Sequence, residues 1–304
     1  MKKGVKGNVS ESMDKIGIIG IGMLGNAVAL HLLDLGYKIT AFNKTREKTK
    51  QVEEKGGMIA NSPKEVAMNS DLVITIVKDS EAGKEVSFGK DGIVFGKHEG
   101  LIVADMSTIN PTESKKITSN FLDYEIDKID VPVMGGPNVA ISGELVMMVS
   151  GNKKTFEKCK KNLANIAKDL FFLGESGVAH SVKLAMNLQI TMLALSLAEG
   201  ITLVKKTGTD PKVFLEILNS TYFKTGMSEK KAYKMIDGEY DATFTLANLK
   251  KDINIMNKTA TELGITLPMI KKAEEIYEDA VKEGFGEIDY TGIINYIKKI
   301  NDKW

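Results

Sequence analysis

The chain has 304 residues, enough for two domains of ordinary size. Its 43% hydrophobic and 27% charged content is that of a soluble globular protein. The 41 basic and 40 acidic residues nearly cancel and no basic stripe interleaves with aromatics, which argues against a nucleic-acid partner, while a single cysteine, Cys159, excludes an intramolecular disulfide and fits a reducing cytoplasm.

Residues 1–14, MKKGVKGNVSESMD, carry lysines but no following apolar run, so they read as a polar extension rather than a secretory signal. Residues 15–33 then read KIGIIGIGMLGNAVALHLL: an apolar strand-like run, glycines, and a helical stretch. Gly20-Ile21-Gly22-Met23-Leu24-Gly25 therefore lies in the strand-to-helix context that a dinucleotide fingerprint requires. Gly20 suits the tight turn, Gly22 lets the backbone approach phosphates, and Gly25 lets the helix pack on the strand. The first turn of such a helix presents unpaired N–H groups and a positive dipole end to a pyrophosphate.

Further strands are expected at Tyr37–Phe42, Met58–Ala60, Leu72–Val77, Leu101–Asp105, Glu125–Asp130, Glu144–Ser150 and Leu170–Leu173, alternating with helices, one of which starts at Ser62-Pro63. From residue 178 the pattern is helical throughout: Val178–Thr207, Pro211–Asn219, Glu229–Ile236, Leu246–Leu263, Met269–Glu283 and Thr291–Ile300, with no strand evident. The expected class is α/β: a Rossmann-type doubly wound domain over residues 15–177 and an all-α domain over 178–304, joined by a long helix at about 178–207. A cleft between two such domains is a natural substrate site. The longest apolar stretch, Leu184 to Leu197, is interrupted by Asn187, Gln189 and Thr191, so no membrane span is expected.

The second strand ends Phe42-Asn43-Lys44-Thr45-Arg46, without the acid that binds a ribose 2′-hydroxyl. Asn43 and Thr45 are potential donors to a phosphate and Lys44 and Arg46 are cationic, so NADP is favoured over NAD, unless these charges simply face solvent. The three histidines, His31, His98 and His180, are scattered, and no metal site is expected; His180 reads as structural.

Five motifs in order carry a resemblance: the glycine-rich start, Asp105-Met106-Ser107-Thr108, Asp130-Val131-Pro132-Val133-Met134-Gly135-Gly136, Lys183-Leu184-Ala185-Met186-Asn187, and Lys251-Asp252. Over about Lys15 to Lys298 the chain resembles the β-hydroxyacid dehydrogenases, and within them the glyoxylate/succinic semialdehyde reductase branch. The resemblance implies that Lys183 is the catalytic acid or base, with Asn187 one helical turn on to orient the lysine or the substrate hydroxyl. It makes Ser107, Gly135 and Gly136 ligands of the substrate carboxylate, places Thr108, Val77 and Lys78 against the cofactor, and sends Lys251 toward the cofactor and Asp252 toward the substrate. From the residues alone, Ser107 or Thr108 could equally cap the helix before Pro111, and the glycine pair could be a simple turn.

Met134 replaces the family's usual serine in the substrate loop, and Ala179 replaces a glycine before the lysine helix. The resemblance further implies a small carboxylate substrate and a homodimer or homotetramer formed through the helical domain. Two other readings stay open: an imine reductase-like enzyme of similar fold, and a catalytically silent cofactor-binding or assembly module.

Overall fold

The computed structural model describes residues 13–301, so the extension expected over residues 1–14 lies outside the described residues apart from Met13 and Asp14. Short runs of aliphatic and β-branched residues form the sheet. Strands β1 (Lys15–Ile19), β2 (Lys38–Phe42), β3 (Met58–Ile59), β4 (Leu72–Thr75), β5 (Ile102–Asp105) and β6 (Asp127–Asp130) lie parallel in the order β3-β2-β1-β4-β5-β6. Strand order therefore reverses between β1 and β4, and ligand sites of doubly wound sheets lie at the carboxyl ends of the strands at such a point. Strands β7 (Val133–Met134) and β8 (Leu145–Gly151) pair antiparallel, β8 also runs antiparallel to β6, and β9 (Ala167–Phe172) pairs parallel with β8.

Successive side chains of a strand point to opposite faces, and both faces here are covered. Leu72 and Ile74 of β4 and Ile102 and Ala104 of β5 pack with Val28 and Leu32 of the Met23–Asp34 helix. Val73 and Val103 enter a second core with Ile117 and Phe121 of the Pro111–Asp123 helix.

The described chain divides into two compact units, one running through His180 and the other beginning at Ser181, so the division falls inside the helix Val178–Lys206. The second unit contains helices Pro211–Asn219, Gly226–Lys230, Ala232–Asp237, Leu246–Glu262, Pro268–Ala280 and Ile293–Ile300 around a core that includes Leu249, Ile253, Ile270, Tyr277 and Ile293. The helix Val178–Lys206 is long and apolar enough by composition to cross a bilayer. Its Leu184, Ala194, Leu197, Ala198 and Ile201 are buried in this core, which gives its apolar residues a use within the unit.

Several elements differ from the sequence expectation. Strand β7 was not anticipated, because two residues are too few for alternation to register. Strand β9 begins three residues before the expected Leu170, its start masked by exposed Lys168 and Asp169. The helix expected at Glu229–Ile236 is broken at Lys231, whose ammonium is drawn to Asp289 at 3.5 Å and donates to Thr243 Oγ1 at 3.1 Å. An isolated antiparallel bridge joins Thr245 and Asp289 where no extended pairing was expected.

One feature of the sheet is ionic rather than apolar. Lys128 of β6 is 3% exposed and pairs with Asp130 Oδ1, with Asp105 Oδ2 at 4.0 Å and Ser114 Oγ at 2.7 Å as further partners. Deleting one side of a buried pair leaves an uncompensated charge and typically costs about 3–5 kcal/mol. Lys128→Met is expected to lower the unfolding free energy by roughly that amount, measured by urea denaturation; a loss under about 1 kcal/mol would show that Asp130 is adequately held by its other donors.

Candidate active site

The glycine-rich loop has the shape a pyrophosphate needs. Gly20 has φ of +104°, and a Cβ there would lie 2.1 Å from the Ile76 carbonyl oxygen. A Cβ at Gly25 would lie 2.0 Å from the Gly20 carbonyl oxygen, so the helix packs too tightly for any side chain. At Gly22 the reverse holds: a Cβ would meet nothing within 4 Å. Gly22 is also the N-cap of the Met23–Asp34 helix, with no side-chain cap bond and no acid in the first turn. The positive helix end is thus left open at the one glycine that backbone crowding does not require, and a dinucleotide phosphate fits there.

Asn43 at the end of β2 braces this loop. Its Oδ1 accepts from Ile21 N–H at 3.0 Å, and its Nδ2 donates one of its two hydrogens to the Thr45 carbonyl at 2.8 Å. Lys44, Thr45 and Arg46 are exposed, with the Arg46 guanidinium 3.3 Å from Asn61 Oδ1.

At the ends of β4 and β5, Ser107 is 3% exposed. Its Oγ accepts from Val77 N–H at 2.9 Å, its own N–H donates to Asp105 Oδ1 at 3.1 Å, and Thr75 Oγ1 donates to the same carboxylate oxygen at 3.0 Å. Ser107 therefore straps the two strand ends together. Neither it nor Thr108 caps the following helix, contrary to one expectation; Asn110 does so, its Oδ1 accepting from Thr112 and Glu113 N–H at 2.8 and 3.1 Å. Lys78 is exposed beside Asp79, whose carboxylate caps the Ser80–Phe88 helix. Met134 ends β7, half-buried; Gly135, exposed, has φ of +119° and its Cβ would fall 2.7 Å from Leu145 Cδ2, while Gly136 caps the short Pro137–Ala140 helix.

The sequence reading missed a buried polar network behind this face. Asp130 Oδ1 accepts from Ser114 Oγ at 2.6 Å and from Lys128, and His180 Nε2 lies 3.4 Å away; Oδ2 accepts from Ser150 Oγ at 2.9 Å, Ser176 Oγ at 3.0 Å and Gly177 N–H at 2.6 Å. Burial alone would raise the Asp130 carboxyl, but Lys128, His180 and the Gly177 N–H outweigh it and hold it well below the usual carboxylate range. The available signal was Lys128 and Asp130, two apart and hence on one face of a central strand, where apolar residues belong.

In the helical unit, four expected residues do come together. Lys183 is half-buried and Asn187, 1% exposed, follows one turn on. Asn187 Nδ2 donates to Asp252 Oδ2 at 2.7 Å, and Lys251 Nζ lies 2.8 Å from Asp252 Oδ1. The carboxylate, itself 1% exposed, thereby fixes the carboxamide with its nitrogen inward, and Asn187 Oδ1 has no hydrogen-bond partner among the described residues. Desolvation pushes the Lys183 ammonium down to about 8; Asp252 opposes this and Lys251 adds to it. An amine so poised exchanges its proton near neutral pH.

A glycine-rich βα crevice at the switch of a doubly wound sheet defines a dinucleotide-binding unit of the kind found in NAD(P)-dependent oxidoreductases. Residues 15–174 match the NAD binding domain of 6-phosphogluconate dehydrogenase, and residues 177–297 match the NAD-binding domain of NADP-dependent 3-hydroxyisobutyrate dehydrogenase. Glyoxylate/succinic semialdehyde reductase 2, chloroplastic, of Arabidopsis thaliana is 30% identical over 93% of this chain and 79% of its own length. The 2-(hydroxymethyl)glutarate dehydrogenase of Eubacterium barkeri is 30% identical over 93% of this chain and 95% of its own. The solved structure of Mycobacterium tuberculosis 3-hydroxyisobutyrate dehydrogenase with L-serine shares the fold with a TM-score of 0.84, at 19% identity, over 94% of this chain and all of that one. The chain belongs to the β-hydroxyacid dehydrogenase family.

Because Asp252 is the group that props up the Lys183 pKa, Asp252→Asn is expected to drive that pKa below about 8. The pH midpoint of Lys183 reductive methylation, followed by mass spectrometry of its peptide, measures this; an unchanged or raised midpoint contradicts the assignment.

Proposed function

We propose that this protein reduces a small carboxylate bearing an aldehyde or keto group to the hydroxy acid, or runs the reverse, with NADP as its nucleotide and Lys183 as proton donor. The observation that carries the reading is the cluster one turn from Lys183, where Asp252 holds Asn187 and lies 2.8 Å from Lys251 Nζ, and the Asn187 Oδ1 is buried without a hydrogen-bond partner among the described residues. The nucleotide, when bound, supplies or accepts the hydride at the substrate carbon. Lys183 gives its proton to the carbonyl oxygen as negative charge develops there, and in the oxidative direction the neutral amine takes the hydroxyl proton. The Asn187 Oδ1, fixed as an acceptor, suits either the Lys183 ammonium or the hydroxyl of the hydroxy acid.

The substrate carboxylate is assigned to Ser107, Gly135 and Gly136. Among the protein partners of the Ser107 proton is the Thr75 carbonyl at 3.5 Å, the limit of hydrogen-bond range, and a carboxylate is the stronger acceptor. The family's serine hydroxyl is replaced by the apolar Met134, which favours substrates whose chain is apolar next to the carboxylate. Glyoxylate and succinic semialdehyde, named for the Arabidopsis relative, are the first substrates to test.

Support for NADP over NAD lies in exposed Lys44 and Arg46 at the end of β2, where no acid stands to repel a 2′-phosphate. Thr108, Val77, Lys78 and Lys251 are assigned to the cofactor with the glycine loop. Exposed Leu203, Ile217, Tyr222 and Phe223 of the helical unit favour self-association, as a homodimer or homotetramer, and the single buried thiol Cys159 favours a reducing cytoplasm.

Lys183→Ala is expected to lower kcat/KM about 10²–10⁴-fold on whichever substrate responds in a panel of glyoxylate, succinic semialdehyde, tartronate semialdehyde, methylmalonate semialdehyde and a cyclic imine. Retention of most of the rate removes Lys183 from the chemistry, and a response to the imine alone overturns the substrate class. For wild type, reduction needs the ammonium, so its kcat/KM should be level below pH 8 and fall above it; oxidation needs the amine and should rise across the same range. Arg46→Ala should weaken NADPH binding about tenfold and leave NADH unchanged; equal losses for both contradict the nucleotide assignment.

A further inference from the structure

The carboxyl ends of β2 and β3 lie side by side, since the two strands run parallel and Ala60 N–H continues the pairing by donating to the Ala41 carbonyl at 2.9 Å. Arg46 follows β2 and Asn61 follows β3, and across this end of the sheet Arg46 Nη1 donates to Asn61 Oδ1 at 3.3 Å. Glu65 decides which way the Asn61 carboxamide faces. In the usual reciprocal cap, the acid at the third helical position returns to the N–H of the capping residue. Here Ser62 caps the Pro63–Met68 helix, its Oγ accepting from Glu65 N–H at 3.2 Å. The Glu65 carboxylate reaches one residue farther back, accepting from Asn61 N–H at 2.7 Å and from Asn61 Nδ2 at 3.2 Å. Nδ2 is therefore turned to the carboxylate and Oδ1 to the guanidinium; the reverse orientation would set donor against donor and acceptor against acceptor.

We infer that Asn61 is a positioning residue for nucleotide choice: it holds the Arg46 guanidinium at the carboxyl end of β2 and keeps it from Glu65, so that the charge stays available to a 2′-phosphate. This rests on the reading of NADP as the nucleotide. A guanidinium has five N–H donors, and giving one to a neutral carboxamide leaves a fork for the paired oxygens of a phosphate. Among the described residues no ion pair joins Arg46 to Glu65, although the carboxamide that bonds to one also bonds to the other. Ligand sites of doubly wound sheets lie at these strand ends, so the arrangement stands where a nucleotide would meet it.

The neutrality of Asn61 is what matters. Without its carboxamide, Glu65 loses the Nδ2 donor and Arg46 loses its acceptor, and the two opposite charges on either side of the gap are left to pair with each other. A 2′-phosphate would then have to displace a carboxylate from the guanidinium. An exposed ion pair shifts an equilibrium by up to about fivefold, which is less than the loss of the guanidinium itself. Asn61 and Glu65 are assigned no contact with the nucleotide, and both act through Arg46.

The test compares NADPH and NADH affinities by nucleotide fluorescence at low ionic strength, where an exposed pair is least screened. Asn61→Ala is expected to raise the Kd for NADPH about 3–5-fold and to leave that for NADH within about twofold. Adding Glu65→Gln removes the competing charge, so the double variant is expected to bind NADPH within about twofold of wild type. A loop merely loosened by the loss of Asn61 would not be repaired by a second substitution. An unchanged NADPH affinity in Asn61→Ala, equal losses for both nucleotides, or a double variant as weak as the single one each overturns the inference. Arg46→Ala separates this claim from the nucleotide reading: if it leaves NADPH binding intact, the NADP assignment falls. The rate at which phenylglyoxal modifies Arg46 without nucleotide, followed by mass spectrometry of its peptide, then judges whether Asn61 keeps Arg46 from Glu65. Asn61→Ala is expected to slow that modification as the carboxylate covers the guanidinium, and Glu65→Gln to restore it; an unchanged rate in Asn61→Ala overturns the positioning role.

Discussion

Everything in the nucleotide unit follows from how closely one helix can approach one strand. The N–H groups of a helix reach a phosphate only when the first turn lies against the carboxyl end of the neighbouring strand, and here that distance is set by backbone against backbone: Gly25 on the Gly20 carbonyl, and Gly20 on that of Ile76. The crowding at these two positions and the open space at Gly22 are two sides of one arrangement. Asn43 extends it, since its bond to Ile21 N–H ties the end of β2 to the same loop. The residue at the end of β2 thereby also holds the glycine loop in shape, while Lys44 and Arg46 just beyond it are exposed.

A second balance governs the helical unit. Desolvation and Lys251 push the Lys183 proton off, and Asp252 pulls it back. The same carboxylate accepts from Asn187 Nδ2 at 2.7 Å and lies 2.8 Å from Lys251 Nζ. A stronger pull from Asp252 would hold the ammonium more firmly, and without Asp252 burial would leave the amine more readily neutral. An intermediate position suits the two-way proton transfer proposed for Lys183.

The sequence was legible where a function imposes local geometry. The glycine loop, the helix start at Ser62-Pro63 and the alternation of short strands with helices depend on neighbours within a few residues, and all appear in the structure. What depends on distant partners was hidden. Ser107 looks like a ligand or a cap in sequence, yet its first duty is to strap β4 to β5, because Val77 and Thr75 reach it from another strand. Lys128 lies unremarked in the expected strand Glu125–Asp130 and His180 is one of three scattered histidines, and only the fold shows that both approach Asp130. Chain breaks of tertiary origin were hidden for the same reason: Lys231 interrupts a good helical run because Asp289 and Thr243, some 60 and 12 residues away, draw its ammonium.

Lys231 also shows why a lowered lysine pKa does not by itself mark a catalyst. Its ammonium is pushed down by burial with Asp289 opposing, the same pair of causes as at Lys183. The surroundings differ. Lys231 is 3.5 Å from Asp289, donates to Thr243 and lies 4.4 Å over the Tyr290 ring, and Asp289 in turn takes bonds from Thr243 and Thr291, so each group serves to close a loop onto helix ends. At Lys183 the neighbouring carboxylate serves a carboxamide whose own oxygen is left buried and unmatched. A buried acceptor without a partner costs stability, and a protein tolerates that cost at few places. Its location one turn from Lys183, rather than the pKa, is what favours the role proposed for Lys183 over that of a structural ion pair.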